Sequence, residues 1–291
     1  MPCYHPVDVR VKRKPFRPGG VRVLDEQTVP CGRCLGCRAD QARQWSIRIL
    51  HECQMHEAAW FATLTYEDER IPENGSLDPE DLRGFFKSLR REEPAGTVSY
   101  YACGEYGERT QRPHYHAVLF GPEFLDRRVL CDRGSSRVWR SSSLEAHWPY
   151  GMCELGTVTP ASAAYVAGYV RKKVSRKVNP DHYTRVDPDT GELVELEPEF
   201  SRMSLRPAIG RRWIERYWKE VYPADRVVVQ GFETKPPRYY DKWMDENHPR
   251  VMMEVRERRY EEAQDLSEYT LDSKERIHEA RVGLFQRRDA V

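Results

Sequence analysis

The run Arg112-Pro113-His114-Tyr115-His116-Ala117-Val118-Leu119-Phe120-Gly121 constrains the fold more than any other part of this chain. Two histidines flank one bulky residue, and a plain apolar run follows up to a glycine, which is the pattern of a strand. Successive strand side chains point to opposite faces, so His114 and His116 share one face and present two imidazoles side by side. The polar interval Tyr106-Gly107-Glu108-Arg109-Thr110-Gln111-Arg112 suits a long hairpin turn leading from the weakly alternating, aromatic stretch Thr97 to Glu105. A hairpin of that shape brings Glu105 opposite His114, on the face that also carries His116.

Two imidazoles and one carboxylate make a three-ligand site with open positions for substrate oxygens, suited to Mg²⁺, Mn²⁺ or a similar divalent ion. Glu108 is the alternative third ligand if the turn is shorter. Two other readings compete. One is a core strand whose histidines hydrogen-bond to their neighbours. The other is a cupin-type oxygenase, but that pattern places its glutamate a few residues after the second histidine, where this chain has Ala117-Val118-Leu119-Phe120.

Strand and helix signals alternate around this hairpin. A helix is expected from Ala39, with Trp45, Ile49, Cys53 and His56 along it. Ala59 to Tyr66 is short, aromatic and β-branched, and reads as a buried strand. Ser76-Leu77-Asp78-Pro79-Glu80-Asp81 starts a helix whose apolar face is Leu82, Phe85, Phe86 and Leu89. Met152 to Val158 reads as a short strand, and Pro160 opens a helix that runs through Lys177. The stretch from Pro236 is dominated by charge, with Met252, Val255, Leu284 and Phe285, and reads as helical appendages. This order indicates an α+β fold, an antiparallel sheet with helices on one face. The expected division is a cysteine-rich lobe with its following helix over 1–55, a core over 56–180, an acidic loop and connector over 181–235, and a helical extension over 236–291.

In the helix after Pro160, Tyr165 and Tyr169 lie at i and i+4 on one face, about 6 Å apart along the axis. Phenol ionises near pH 10, so a tyrosine nucleophile needs a cation to stabilise the phenolate. Lys172 and Lys173 follow one turn on and can supply charge or grip phosphates. Ala163, Ala164, Ala167 and Gly168 let this helix approach a sheet closely. The competing reading is an amphipathic helix that buries one tyrosine and exposes the other.

The net charge of +1 conceals an uneven distribution. Residues 1–50 hold ten Lys/Arg against four Asp/Glu, a net of +6. Residues 160–180 hold five Lys/Arg and no acid, and residues 187–200 hold six acids and no base. The basic blocks point locally to a polyanion partner, with Arg33, Arg38, Arg171 and Lys177 as candidate DNA contacts. Tyr100, Tyr101, Trp139 and Trp148 could stack unpaired bases, although core packing is expected for most. No run of about eighteen apolar residues supports a membrane span, and the N-terminal MPCYHPVDVRVKRK supports no signal peptide. A cytoplasmic location with reduced cysteines is therefore expected.

Cys31, Cys34 and Cys37 give C-x₂-C-x₂-C, which Cys3 or His5 could complete as a four-ligand site. In a lobe so poor in apolar residues, a structural Zn²⁺ would replace the missing core. The spacing also suits an iron–sulfur cluster. Cys53, Cys103, Cys131 and Cys153 are scattered and read as ordinary buried thiols.

Taken together, these residues resemble the rolling-circle replication initiators of the HUH endonuclease superfamily, in particular those of the gokushovirus branch of the microviruses. Phe61-Ala62-Thr63-Leu64-Thr65-Tyr66 is similar to the family's first motif, and Pro113-His114-Tyr115-His116 to its second, with Tyr115 where a bulky hydrophobic residue is usual. Tyr165-Val166-Ala167-Gly168-Tyr169 with Lys172 and Lys173 is similar to the third, in its two-tyrosine form. Met1-Pro2-Cys3-Tyr4-His5-Pro6 and Pro30-Cys31-Gly32-Arg33-Cys34-Leu35-Gly36-Cys37-Arg38 resemble the N-terminal part of the phage proteins. The likeness extends over residues 1 to about 180. It implies an HUH-type sheet and a metal-assisted attack by one tyrosine on single-stranded origin DNA. A 5′-phosphotyrosine and a free 3′-OH result, and the second tyrosine later cleaves and rejoins. A relaxase or single-strand transposase shares this chemistry, whereas a zinc-stapled nucleic-acid-binding module would lack it. A replication initiator would also meet a host helicase or polymerase.

Overall fold

The computed structural model describes residues 3–12, 24–94, 96–134, 136–172, 180–186, 191–262 and 267–288. In chain order its elements begin with β1 Val7–Lys12, β2 Leu24–Val29, α1 Leu35–Cys53, β3 Ala59–Thr65, α2 Pro79–Glu92, β4 Ser99–Tyr106 and β5 Pro113–Phe120. Then come β6 Arg128–Arg133, β7 Ser136–Arg140, the single turn α3 Ser142–Glu145, β8 Cys153–Thr157, α4 Pro160–Lys172, β9 Thr184–Val186, β10 Leu193–Glu195 and β11 Phe200–Met203. The chain closes with α5 Arg211–Val221, β12 Val227–Val229, β13 Phe232–Thr234, α6 Arg238–Asn247, α7 Pro249–Glu261 and α8 Glu268–Arg288. Residues 42–256 form one compact unit, and residues 1–41 with 257–291 form another.

In the larger unit, seven strands make one antiparallel sheet in the order β11-β4-β5-β3-β8-β7-β6. Tyr115, Ala117 and Leu119 of β5 face a core shared with Ala62 and Leu64 of β3 and with Leu82, Phe85, Phe86 and Leu89 of α2. The alternate residues Val118 and Phe120 join Tyr101 and Cys103 of β4, Ile49 of α1, and Ala163, Val166, Ala167 and Tyr169 of α4. Helices thus cover both faces of the sheet, which corrects the expectation of one. The reason is visible in β5: after His116 it has no polar alternation, because both of its faces are buried.

Local signals explain where the helices sit. The Asp78 side chain accepts from Glu80 N at 2.7 Å and Pro79 opens α2, so the first turn is capped and pre-formed. Residues Ala163 and Ala167 give α4 a side without bulk, and that side lies on β4, β5 and β11. The expected continuation of α4 through Lys177 lies outside the described residues from 173 onward. At the end of β5, Gly121 has φ +104 and a Cβ there would meet Thr97 O at 2.3 Å, so only glycine lets the strand leave the sheet beside that carbonyl.

One further expectation is corrected. The stretch after Pro236 is helical but not merely appended: Tyr240, Trp243 and Met244 of α6 pack with Trp213 and Ile214 of α5 and with Met252 and Val255 of α7 in a core of their own. The lobe read from the sequence as cysteine-rich also holds regular structure, since β1 and β2 pair antiparallel from Val7↔Val29 to Lys12↔Leu24. Within the smaller unit, the Tyr4 hydroxyl lies 2.8 Å from His278 Nδ1 of α8, and His5 Nε2 lies 2.9 Å from Glu275 Oε2. Among the described residues, no helix is long and apolar enough to cross a membrane.

Candidate metal centre and tyrosine pair

The β4–β5 hairpin sets Glu105 directly opposite His114 and Cys103 opposite His116. On the other side of β5, Thr63 of β3 lies opposite His116. The odd-numbered β4 and β3 residues and the even-numbered β5 residues therefore share the face toward α4. The nitrogen His114 Nε2 lies 2.7 Å from Glu105 Oε1, and His116 Nε2 lies 2.9 Å from the same oxygen. Glu108 sits in the exposed turn, outside this group.

Both imidazoles are aimed from behind. His114 Nδ1 lies 3.1 Å from the carbonyl oxygen of Arg112, which only accepts, so this nitrogen carries the proton. Its Nε2 then either donates a second proton to Glu105 Oε1 or, in the neutral ring, offers a lone pair to a cation placed between them. His116 Nδ1 lies 3.1 Å from Thr63 Oγ1, and its ring stacks on Phe61. Thr63 falls inside the first motif, but its role at His116 becomes legible only once β3 and β5 are placed in register.

The three groups perturb one another. Burial works against the charge on Glu105, but hydrogen bonds with His114 and His116 outweigh it and bring the carboxyl down to about 2. For His114, burial opposes protonation but the contacts with Glu105 and the Arg112 carbonyl outweigh it, so its pKa is raised. For His116 burial prevails and the pKa is lowered. Ligand atoms held at about 2.1 Å from one metal ion, at right angles, lie about 3.0 Å apart. The distances of 2.7 and 2.9 Å from Glu105 to the two imidazoles are close to that spacing, and the mixed N/O donor set suits a divalent ion.

Helix α4 brings the tyrosines to this site. The Tyr165 hydroxyl donates to Glu105 Oε1 at 3.0 Å, the oxygen that both histidines face. The rings of Tyr165 and Tyr169 stand edge to face, 5.0 Å apart, and both lie near His116. Their exposures differ sharply: Tyr165 is 46% exposed and Tyr169 only 3%. Burial raises both phenol pKa values above the ordinary one, and the charge of Glu105 raises them further. Neither hydroxyl is a phenolate at neutral pH without added positive charge nearby. Arg171 and Lys172 close α4, while Lys173 and Lys177 lie outside the described residues.

On the opposite face, Tyr115 stands where an apolar residue was expected and anchors the strand. Its hydroxyl donates to Asp78 O at 2.7 Å, accepts from Asp78 N at 2.9 Å, and lies 2.9 Å from the Tyr66 hydroxyl, which donates to Asp81. The residue between the two histidines is thus tied to the start of α2, which fixes the strand that carries both ligands.

The aromatic side chains proposed for base stacking are mostly structural. Tyr101 and Trp148 are fully buried, and Trp139 packs edge to face on Trp60. Tyr100 is covered on both ring faces, by Phe86 at 3.5 Å and by the Arg90 guanidinium at 5.0 Å.

In the smaller unit, Cys3, Cys31, Cys34 and Cys37 bring their sulfurs within 4.8 Å of one another. Cys3 Sγ and Cys34 Sγ lie 3.9 Å apart, close to the edge of about 3.8 Å expected for a tetrahedral ion with bonds of about 2.3 Å to sulfur. Backbone N–H groups of Cys31, Cys34, Cys37 and Tyr4 donate to these sulfurs at 3.2 to 3.4 Å. Burial disfavours the Cys31 thiolate, but the N–H groups of Arg33 and Cys34 outweigh it and lower the thiol to about 7. His5, the alternative ligand, faces Glu275 instead. Arg33 is exposed beside the cluster, and Arg38 donates to its carbonyl at 2.8 Å.

Comparison with known proteins agrees on one family. A family profile described as replication-associated protein ORF2/G2P matches residues 59–174. The chain is 34% identical to replication-associated protein VP4 of Bdellovibrio phage phiMH2K, over 77% of this chain and 70% of that protein. It is 30% identical to replication-associated protein ORF2 of Spiroplasma virus 4, over 89% of this chain and 86% of that one. Replication-associated protein ORF4 of Chlamydia phage 1 is 26% identical over 73% of this chain and 52% of its own length. No solved structure gives a significant match.

Proposed function

The chain belongs to the family of phage replication-associated proteins, and we propose that it initiates rolling-circle replication by nicking single-stranded origin DNA and rejoining the ends. The observation that carries this reading is the single carboxylate oxygen, Glu105 Oε1, faced by His114, His116 and the Tyr165 hydroxyl at 2.7 to 3.0 Å. Three candidate metal ligands and a candidate nucleophile meet there at one point of the sheet, which is what an HUH endonuclease would need.

Glu105, His114 and His116 would hold Mg²⁺ or Mn²⁺, which when bound supplies the positive charge that polarises the scissile phosphate and favours a phenolate. Tyr165 Oη forms a bond to the phosphorus while the bond from phosphorus to the departing oxygen breaks. The products are a 5′-phosphotyrosine and a free 3′-OH that can prime synthesis. One ester replaces another, so no nucleotide cofactor is consumed. The greater exposure of Tyr165 supports it as the first nucleophile, with the buried Tyr169 acting second, in the later cleavage and joining. Lys172, Lys173, Arg171 and Lys177, which follow the tyrosines in sequence, would grip phosphates. Arg33 and Arg38 would do so from the cysteine lobe, which Zn²⁺ on Cys3, Cys31, Cys34 and Cys37 would hold together. This role places the protein in the bacterial host cytoplasm, working with a host helicase and polymerase.

Incubation with single-stranded origin oligonucleotides and Mn²⁺ tests the reading. The expected result is a denaturant-resistant protein–DNA adduct that Tyr165→Phe removes and Tyr169→Phe leaves in place while blocking rejoining. An adduct that survives in the double variant would mean that neither tyrosine is the nucleophile, and no adduct from the wild-type protein would favour a non-catalytic binding module.

A further inference from the structure

A concave surface on the far side of the sheet is rich in cations and, among the described residues, poor in counter-ions. Tyr100 and Glu105 lie on the same strand but at positions of opposite parity, so Tyr100 faces away from the metal centre. Beside it, α2 and β11 enclose a cavity of about 850 Å³ lined by Arg83, Lys87, Arg90 and Arg91 of α2 and by Arg202 of β11. Only Glu80 among the lining residues is acidic, so five cations against one acid leave a local charge of +4 in a chain whose total is +1. Arg83 pairs with Glu80. Among the described residues, Lys87, Arg90, Arg91 and Arg202 form no ion pair.

Solvated charge along a helix is common, and a row of cations alone would mean little. Arg90 is different because neutral groups hold its guanidinium in place. It donates to Ser204 Oγ at 3.0 Å and lies over the Tyr100 ring, whose other face stacks on Phe86. Ser204 is fixed in turn, since its Oγ accepts from Tyr100 N at 3.0 Å and its N donates to Tyr100 O at 2.9 Å. The result is a pre-oriented cation with no carboxylate to neutralise it, at the centre of other unneutralised cations. Arg83, Lys87, Arg90 and Arg91 recur at helical spacing along one side of α2. They span about 12 Å at 1.5 Å per residue, which matches three to four nucleotides of a stacked strand at about 3.4 Å each.

We infer that this groove is a second DNA site, which binds the phosphodiester backbone independently of sequence and apart from the metal centre. Tyr100 is covered on both ring faces, so the groove offers no platform for base stacking and reads charge and shape alone. A site on the reverse face would let the protein hold one segment of DNA while another occupies the tyrosine site.

The test uses the full-length protein, a fluorescein-labelled 30-mer of thymidylate and a 30-base-pair duplex, with binding followed by anisotropy from 50 to 200 mM salt. Lys87→Glu/Arg91→Glu is the principal variant, and Lys87→Ala/Arg91→Ala guards against misfolding, with circular dichroism as the check on both. Removing two phosphate contacts is expected to weaken binding of at least one probe on the order of tenfold, and to flatten the salt slope by about 1.4 for the single strand or about 1.8 for the duplex. Adduct formation on a 12-nucleotide origin oligonucleotide should stay at the wild-type level, and Tyr165→Phe/Tyr169→Phe should bind both probes normally. Unchanged affinity and slope for both probes in the folded variants would overturn the inference. A parallel loss of adduct on the short oligonucleotide would also overturn it, because the groove would then not be separate from the catalytic face.

Discussion

Thr63 and the carbonyl of Arg112 would support the proposed metal site without touching the ion. Each fixes the Nδ1 of one histidine, so that both Nε2 atoms converge on Glu105. Loss of such a partner typically lowers metal affinity by about 10- to 100-fold. Thr63→Val should therefore weaken Mn²⁺ binding by calorimetry within that range, while Thr63→Ser restores it; equal affinity in Val and Ser variants would remove the assigned role. A second residue governs response to acid. His51 stacks on Trp213 with its Nδ1 2.9 Å from the Tyr240 hydroxyl, and burial lowers its pKa to about 3 from an ordinary 6.5. Between those values the unfolded chain binds a proton that the folded chain does not, so stability rises with pH there and falls on acidification. Urea unfolding of wild type and His51→Phe should diverge by up to about 1.4 kcal/mol per pH unit from about pH 6 downward. Parallel curves would show that His51 does not carry this dependence.

At the scale of elements, the helix that carries the tyrosines is placed by what it lacks. Ala163 and Ala167 are fully buried against the sheet, and their small size sets the distance from Tyr165 to Glu105. Ala167→Leu should destabilise the protein by about 1–3 kcal/mol through overpacking, and should slow adduct formation in protein that still folds, as read by a thermal melt beside the adduct assay. Adduct formation at the wild-type rate would show that the spacing is not critical. The hairpin and its Glu105 opposite His114 were legible because Pro113, Gly121 and the polar turn bound the strand unambiguously. Other elements were not. In β6 the residues from Arg128 to Arg133 are nearly all exposed and the register shifts between Val129 and Cys131, so no alternation marks the strand. Residues Trp213 and Tyr240 sit in helices dominated by charge, which hid a core of their own. Helices on both faces went unread because a fully buried strand such as β5 has no polar side to betray which face is covered.

At the scale of the molecule, the smaller unit has few buried apolar residues among those described, and four cysteines whose sulfurs lie within 4.8 Å of one another. Elemental analysis of purified protein should give one zinc per chain, and chelation should selectively raise protease cleavage within residues 1–41. Iron in place of zinc would change the identity of the ion, and well-folded protein without metal would contradict the staple. The cysteine spacing was legible in the sequence. The contacts of Tyr4 and His5 with α8 were not, since they join residues 274 and 270 positions apart. The proposed reaction transfers a DNA phosphate to Tyr165 at the Glu105–His114–His116 site, and it can be read by mass spectrometry of protease-digested adduct formed with single-stranded origin DNA and Mn²⁺. The expected product is a nucleotide on the peptide containing Tyr165, formed first and lost in Glu105→Ala. A nucleotide on Tyr169 alone, on another residue, or formed equally well without Glu105, would contradict it.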